Sequence, residues 1–160
     1  RPIDAGGIGP GIFASVIAGK TIANALHAED YSQKNLWNYN TEYVRNYGYQ
    51  MASFEILRRF LQIVLNEKIS YGMKNFLSVD DVEKITSREH PSFDKVNMLN
   101  PLMLIKILTH WSLAKELRYT AKKSSELVRH SQNYPDSPKG FPEWKNKLHL
   151  LLKEAYSRFS

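Results

Sequence analysis

The chain opens with a glycine-rich run that leads into a helix built almost entirely from small and apolar residues. Four glycines fall within residues 6–11, where they are expected to hold backbone conformations closed to other residues and to let a flat or anionic group approach the main chain. The pattern that follows predicts a helix over residues 12–26. The amide groups at its start would carry about half a positive charge. The sequence therefore predicts a binding site at the start of this helix.

The predicted first helix also constrains what must surround it. Its polar side chains are only Ser15, Lys20, Thr21 and Asn24. A helix that is apolar nearly all round is buried on most sides, and small residues on successive faces favour packing beneath a sheet or between layers. No clear strand pattern occurs in the sequence. We therefore expect further polypeptide to cover this helix, and a start at Arg1 without Met favours a processed or partial product.

The rest of the chain is predicted to be helical. Over residues 36–64 apolar side chains recur at spacings of three, four and seven, which indicates one long amphipathic helix with a break near Gly48. Residues 70–73 interrupt this pattern. A capping pattern predicts a short helix over residues 78–85, and a loop is expected over residues 90–99.

Two proline-containing segments define the remaining helices. Asn100 followed by Pro101 predicts a helix start, because proline has no amide hydrogen to lose in the first turn. That helix is expected over residues 102–130. Residues 133–142 contain three prolines and a glycine and are predicted not to be helical, and Pro142 begins the last helix.

Composition limits the class of protein without identifying it. The 160 residues are 42% hydrophobic and 24% charged, which is typical of a globular protein, and the absence of cysteine excludes disulfides and thiolate chemistry. The net charge of +6 favours acidic partners. The basic residues are spread over separate pairs with acidic residues among them, which favours solvated helix faces over a membrane or phosphate patch, and nucleic acid least. No apolar run reaches the roughly 18 residues that cross a bilayer.

Metal and hydrolase sites are not indicated. The five histidines are not paired at a spacing of four and form no HExxH pattern, so we expect no metal site. No glycine-flanked nucleophilic serine is present. The acidic residues Asp80, Asp81 and Glu83 are interpreted as first-turn charges of a helix rather than as an acid pair.

A series of short motifs along the chain resembles one enzyme family. At the opening these are Arg1-Pro2, two further residues, and Ala5-Gly6-Gly7. The later motifs are Leu36-Trp37-Asn38, Tyr47-Gly48, Ala52-Ser53, residues 58–62, residues 71–74, Asn133-Tyr134-Pro135 and Ser137-Pro138. In this order they resemble the C-terminal half of the FAD-dependent geranylgeranyl reductases, most closely the archaeal ones that saturate membrane-lipid chains. That family has Asn where this chain has Arg1, and Gly where it has Ala5.

The resemblance implies a fold class and a domain organisation. The chain would be mainly α and would form the C-terminal helical portion of a larger α+β flavoprotein of the p-hydroxybenzoate hydroxylase type. The dinucleotide-binding domain would precede residue 1. Residues 1–28 would supply the glycine-rich turn and last helix of the FAD-binding domain, and residues 29–160 a helical C-terminal region.

The resemblance also implies a cofactor site and a reaction. The residues expected to line the flavin ring are Pro2, Gly6, Gly7, Ile8 and Gly9. FAD would be held by the complete protein rather than by this chain alone. Reduced flavin would deliver hydride to an isoprenoid C=C bond of a lipid. The sequence identifies no catalytic residue, no proton donor and no substrate-binding residue.

Partners and location follow from the same resemblance. The expected partners are an isoprenoid lipid substrate and the preceding FAD-binding segment, with no nucleic acid. A cytoplasmic protein with peripheral contact at the membrane surface is expected. Six aromatic residues could line an isoprenoid channel, although their helical spacing favours ordinary core: Tyr39, Tyr43, Tyr47, Phe54, Trp111 and Trp144.

Two other functions stay open on the residues alone. The absence of a dinucleotide-binding fold, together with Arg1 and Ala5, favours a stand-alone helical interaction module without catalysis. The basic charge leaves a third hypothesis, a helical nucleic-acid binder, which would show steeply salt-dependent binding.

Overall fold

The computed structural model of the chain describes residues 7–64, 66–76 and 111–158. Within these ranges the backbone forms helices and connecting turns, and no strand occurs. The mainly α fold class predicted from the sequence is therefore confirmed. The predicted helix over residues 78–85, the loop over 90–99 and the start at Asn100-Pro101 lie outside the described residues.

The first helix, α1, spans Ile8–Ala28 and begins earlier than predicted. Its cap residue is Gly7, and the amide of Gly11 donates the first helical hydrogen bond to the carbonyl of Gly7, at 2.8 Å. The prediction that residues 8–11 belong to a turn is wrong. Pro10 fits there because the amide hydrogen that proline lacks would have no partner in the first turn.

The link after α1 is set by local hydrogen bonds. Glu29 ends the helix in the left-handed conformation, with φ of 51°. The side chain of Asp30 accepts the amide hydrogen of Ser32 at 2.9 Å, and the Ser32 hydroxyl accepts that of Asn35 at 3.3 Å. These bonds form a turn and start the short helix α2, Gln33–Leu36.

The long helix predicted over residues 36–64 is divided into pieces. Helix α3, Asn38–Tyr43, runs into a π-helical turn at Val44–Gly48, and α4 follows as Tyr49–Ile63. The break predicted near Gly48 is therefore confirmed and takes the form of a π turn. A π turn widens the helix by one residue and shifts which side chains face the core.

The second half contributes three more helices among the described residues. Helix α5, Asn66–Phe76, passes straight through residues 70–73, so the interruption predicted there is wrong. A glycine inside a helix costs only about 1 kcal/mol, which packing readily offsets. Helix α6 covers Trp111–Gln132, a 3₁₀ turn covers Pro138–Gly140, and α7 covers Phe141–Arg158. The prediction that residues 133–142 are not helical is therefore wrong for residues 138–142, because proline is compatible with the first turn of a helix.

The chain divides into two compact units, Arg1–Arg59 with Lys123–Ser160, and Phe60–Lys122. In the first, Ile56 and Leu127 are fully buried. In the second, Leu113 is 3% exposed and lies in van der Waals range of Gly72, where an added Cβ would be 3.7 Å from its Cδ2 atom. The domain boundary expected after residue 28 stays a prediction.

An aromatic cluster organises the first unit. The Trp37 ring stacks on Tyr134 at 5.7 Å and meets the edge of Phe141 at 5.5 Å, while Trp144 stacks on His130 at 5.0 Å. The His130 ring nitrogen bonds the carbonyl of Trp144, and the indole of Trp144 donates to the carbonyl of His130, both at 2.9 Å. This reciprocal pair joins the end of α6 to the beginning of α7.

Candidate cofactor site at the start of α1

The start of α1 presents backbone amide groups rather than side chains. The cap residue Gly7 has no side chain to bond the first turn. The amides of Ile8 and Gly9 precede Gly11, the first residue whose amide bonds within the helix, and Pro10 has no amide hydrogen. The positive end of the helix dipole therefore coincides with the amide groups of Ile8 and Gly9.

Among the described residues, no atom lies close to the backbone at these amides. A Cβ added at Gly7 or at Gly11 would meet none of their atoms within 4 Å, and Ile8 is 84% exposed. No described glycine has a positive φ, and Gly7 lies at φ −117°, ψ −28°. The expectation that these glycines hold conformations closed to other residues is therefore wrong for Gly7, Gly9 and Gly11. The expectation that a flat or anionic group could approach the main chain closely agrees with the space that the described residues leave at Gly7 and Gly11.

The five predicted flavin contacts are only partly described. Gly7, Ile8 and Gly9 occupy consecutive positions at the start of α1, so the structure brings these three together. Pro2 and Gly6 lie outside the described residues. The assignment of all five to a flavin site stays a prediction.

The described residues cover helix α1 on one side and leave its other side exposed. Ile17, Thr21 and Ala25, at spacings of four, are buried. The opposite side carries an exposed apolar strip of large side chains, defined as Ile8, Ile12, Val16, Ile22 and Leu26, each more than half exposed. Ser15 does not interrupt it, because its hydroxyl bonds the carbonyl of Gly11 at 2.8 Å. An apolar surface of this kind marks an interaction site, in agreement with the expectation that further polypeptide covers this helix.

A small apolar pocket lies beside this strip. It has a volume of about 240 Å³ and is lined by Ala18, Thr21, Ile22, Leu36 and Tyr39. None of these side chains is charged. The Thr21 hydroxyl is buried, and within the described ranges it has no hydrogen-bond partner. The volume is below the roughly 300 Å³ of typical ligand pockets, so it could hold only part of a long molecule.

The six aromatic residues suggested for a channel are distributed over several places. Tyr39, Tyr43 and Tyr47 form a row with Phe13, with adjacent ring centroids 5.5 to 6.4 Å apart. Burial raises the pKa of the Tyr43 hydroxyl, and its tyrosine neighbours add to the effect. Trp144 instead belongs to the aromatic cluster around Trp37 and His130. Trp111 lies in the second unit and is 56% exposed. Phe54 is half-buried in α4. Tyr47, at 5% exposure, is ordinary core.

The sequence did not predict two clusters of charged side chains that the structure brings together. Lys123 is 5% exposed, and its ammonium lies 2.8 Å from both Glu126 and Glu154. Burial opposes its charge, but the hydrogen bonds to the two carboxylates outweigh burial and raise the pKa of Lys123. The spacing of three between Lys123 and Glu126 could have indicated the first pair, whereas the contact with Glu154 depends on the packing of α7 against α6.

The other charged cluster lies where α4 and α7 meet. The carboxylate of Glu55 accepts hydrogen bonds from Arg58 and from the hydroxyl of Tyr156, the latter at 2.8 Å. The Arg58 bond is the main reason that the pKa of Glu55 is lowered. No group of three metal-binding side chains is found in the part of the chain that the structure describes. None of its helices is long and apolar enough to cross a membrane.

Comparison with known proteins identifies one relative. No protein-family model matches the chain. Over 154 residues the chain is 30% identical to the digeranylgeranylglycerophospholipid reductase of Sulfolobus acidocaldarius. The similarity covers 96% of this chain, which spans 34% of the length of that relative. The family resemblance predicted from the ordered motifs is therefore confirmed over nearly the whole sequence.

Proposed function

We propose that the chain is the C-terminal helical part of an FAD-dependent reductase that hydrogenates isoprenoid C=C bonds of lipids. The observation that carries the proposal is the similarity, over 96% of the chain, to a protein named as a digeranylgeranylglycerophospholipid reductase. The mainly α fold of the described residues agrees with such a helical part, and the strand-rich cofactor domain would be contributed by the rest of the enzyme.

The start of α1 suits a flat, electron-rich ring. The amides of Ile8 and Gly9 would donate toward the pyrimidine edge of the flavin, where negative charge collects on reduction. No atom of the described residues lies within 4 Å of a Cβ at Gly7, so as far as these residues go the ring could lie against the backbone there. When bound, reduced FAD supplies the hydride for the isoprenoid double bond, and a proton arrives separately. The chain's own contribution is to position the ring and to stabilise its charge.

The exposed apolar strip of α1 has a role in the same proposal. Packing of the FAD-binding segment against Ile8, Ile12, Val16, Ile22 and Leu26 would remove these side chains from water. Burial of each such side chain stabilises by about 1.5 to 3 kcal/mol. The contact would hold the start of α1 at a constant position relative to the cofactor.

The test uses the complete protein translated from the whole reading frame that contains this chain. We expect codons upstream of Arg1 to encode a strand, a GxGxxG turn and a Gly-Asp motif, and the purified protein to carry bound flavin and reduce a geranylgeranyl lipid. A colourless protein that does not bind added FAD would contradict the proposal.

A matched pair of variants locates the flavin. Gly7→Ile fills the space where the ring is proposed to lie, so affinity for FAD should fall by about tenfold or more. Ala28→Ile, at the exposed far end of α1, should leave affinity unchanged. Equal affinities in the two variants would place the flavin elsewhere.

A stand-alone interaction module is the second candidate. The exposed apolar strip favours it, because such a surface binds a partner helix or sheet without any chemistry. The same reading frame distinguishes the two functions. An upstream frame without a dinucleotide-binding motif would support the module and exclude the reductase.

A further inference from the structure

Phe13 packs the beginning of α1 against the rest of the described chain. It is the only phenylalanine, tyrosine or tryptophan in this helix. Of the large side chains in the first two turns, Ile8 and Ile12 are exposed, whereas Phe13 is half-buried. Gly9 and Gly11 contribute no side chain there. The contacts of Phe13 therefore have a large share in fixing where the start of α1 lies.

Two tyrosines receive the Phe13 ring. Its centroid lies 5.5 Å from that of Tyr47 and 6.4 Å from that of Tyr43, and the two tyrosine ring centroids are 5.8 Å apart. These separations are typical of interacting aromatic side chains. Tyr47 is the closer of the two to Phe13 and is buried. Loss of the Tyr47 ring would therefore leave space beside Phe13.

The backbone that carries Tyr47 has an uncommon form. Tyr47 lies within the π turn Val44–Gly48. Such turns are rare and occur frequently at functional sites. The hydroxyl of Tyr47 is buried, and in the described ranges it has no hydrogen-bond partner. The contacts that the structure gives to Tyr47 are therefore those of its ring.

The start of α1 is connected rigidly to Phe13. Gly9 precedes Phe13 by four residues, so it lies on the same face of the helix, about 6 Å along the axis. The amide of Gly11 bonds the carbonyl of Gly7 at 2.8 Å, so the first turn belongs to the same helix. A displacement of the Phe13 ring would therefore displace the amides of Ile8 and Gly9.

We propose that Tyr47 is a positioning residue for the flavin, because its ring holds Phe13 and, through Phe13, the amides at the start of α1. The inference rests on the proposed function, which places the flavin at these amides. Amide donors at the pyrimidine edge stabilise the charge of reduced FAD more than they stabilise oxidised FAD. Their effect depends on hydrogen-bond geometry and weakens steeply when alignment is lost. Tyr47 should therefore raise the midpoint potential of the bound flavin.

The experiment measures the midpoint potential of FAD bound to the complete protein, by spectroelectrochemical titration. Tyr47→Leu removes the ring against which Phe13 packs. We expect the affinity for reduced FAD to fall about tenfold more than the affinity for oxidised FAD, which lowers the midpoint potential by about 30 mV for a two-electron couple. A purely structural role would weaken both affinities equally and leave the potential unchanged.

Two controls separate the ring of Tyr47 from its hydroxyl and from general stability. Tyr47→Phe keeps the ring and removes only a hydroxyl that has no partner among the described residues, so the potential should equal that of the wild type. Phe141→Leu also replaces a buried ring by leucine, but in the cluster with Trp37 and Tyr134. It should lower stability without changing the potential.

A variant at Phe13 tests the route by which Tyr47 acts. Phe13→Leu removes the other side of the same contact, at a half-buried position that should disturb folding less than a change at Tyr47. We expect the same lowering of the potential. The double variant Phe13→Leu with Tyr47→Leu should show about the shift of either single variant rather than their sum, because both remove one contact.

Several results would overturn the assignment. An unchanged potential in the two leucine variants would remove the positioning role. A shift in Tyr47→Phe would assign the effect to the hydroxyl, and an equal shift in Phe141→Leu would assign it to general destabilisation. Any of these results in a protein that binds FAD and reduces its lipid substrate would contradict this inference alone, whereas a complete protein that binds no FAD would contradict the proposed function.

Discussion

Trp37 shows how single side chains hold the first unit together. Its indole donates to the carbonyl of Pro135 at 2.8 Å, and the Thr41 hydroxyl donates to the same carbonyl at 3.2 Å. Arg45 donates to the carbonyl of Tyr134 and forms an ion pair with Asp136, at 2.8 Å. The proline-containing loop after α6 cannot satisfy these carbonyls within a helix, so side chains of α3 and its neighbours satisfy them instead.

The close approach of Gly140 to Pro135 yields a stability prediction. A Cβ at Gly140 would lie 2.9 Å from the Cβ of Pro135, too close without movement of the rigid proline. Gly140→Ala should therefore lower the free energy of unfolding by about 1 to 3 kcal/mol in urea denaturation. Gly19→Ala, in open space within α1, is the control and should be neutral or stabilising by up to about 1 kcal/mol. A neutral Gly140→Ala would contradict the described packing of the loop.

His130 predicts a pH dependence of stability. Burial lowers the pKa of His130 from its ordinary value near 6.5, and the charge of Lys147 adds to this, although the bond to the Trp144 carbonyl opposes it. Because the folded pKa is the lower one, the unfolded chain binds the proton first. The contribution of neutral His130 is complete above about pH 6.5 and is lost as pH falls toward the folded pKa.

The measurement is the free energy of unfolding in urea at a series of pH values. Wild type should lose stability more steeply than His130→Gln as the pH falls below about 6.5. Parallel curves for the two proteins would show that His130 does not titrate differently in the folded state. The variant is expected to be less stable at every pH, so only the slope tests the prediction.

Among the elements, α1 differs sharply between its two faces in burial by the described residues. One face, centred on Ile17, is buried, whereas the exposed apolar strip on the other face extends over five large side chains. A helix with one buried and one exposed face is stabilised by packing on its buried face. Within the described residues the strip is exposed, so we expect it to add little to their stability.

Two substitutions on α1 separate these faces. Ile17→Ala removes buried side-chain volume and should lower the free energy of unfolding by about 2 to 4 kcal/mol. Ile12→Ala makes the same chemical change on the strip, where Ile12 is 63% exposed, and should change it by less than about 0.5 kcal/mol. Similar losses in urea denaturation would show that the strip is already covered in the chain by itself.

For the whole molecule, the proposed function links the short span of the chain within its relative to the exposed side of α1. The chain spans 34% of the length of its relative, and the proposal places the remainder of the enzyme at the start of α1 and over its exposed apolar strip. On that proposal, a few amide donors at the start of one helix form only one edge of the cofactor site. Affinity for FAD should then belong to the complete protein.

Adding FAD to the 160-residue chain and to the complete protein tests whether the chain binds the cofactor by itself. The 160-residue chain should show no change in melting temperature, because a few backbone donors without the other walls bind weakly. The complete protein should gain about 2.7 kcal/mol of stability at an FAD concentration a hundredfold above its Kd. Equal stabilisation of the two proteins would mean that the 160-residue chain holds the cofactor alone.

Local periodicity and turn residues predicted the helical class, the break near Gly48 and, to within one residue, the start of the last helix. The motif order also predicted the family resemblance. Of the candidate site, local pattern located the glycine-rich start of α1. It could not show that residues 8–11 are helical, because glycine and proline at a helix start are compatible with either state.

Which helix faces and which motifs contact each other depends on long-range packing. The bond from Trp37 to Pro135 joins residues 98 positions apart, and the burial of Lys123 depends on Glu154 from another helix. Neither contact leaves a periodic signal, because each is set by how whole helices pack. The one-sided burial of α1 has the same origin: its composition is apolar nearly all round, and only the placement of the neighbouring helices determines which side remains exposed.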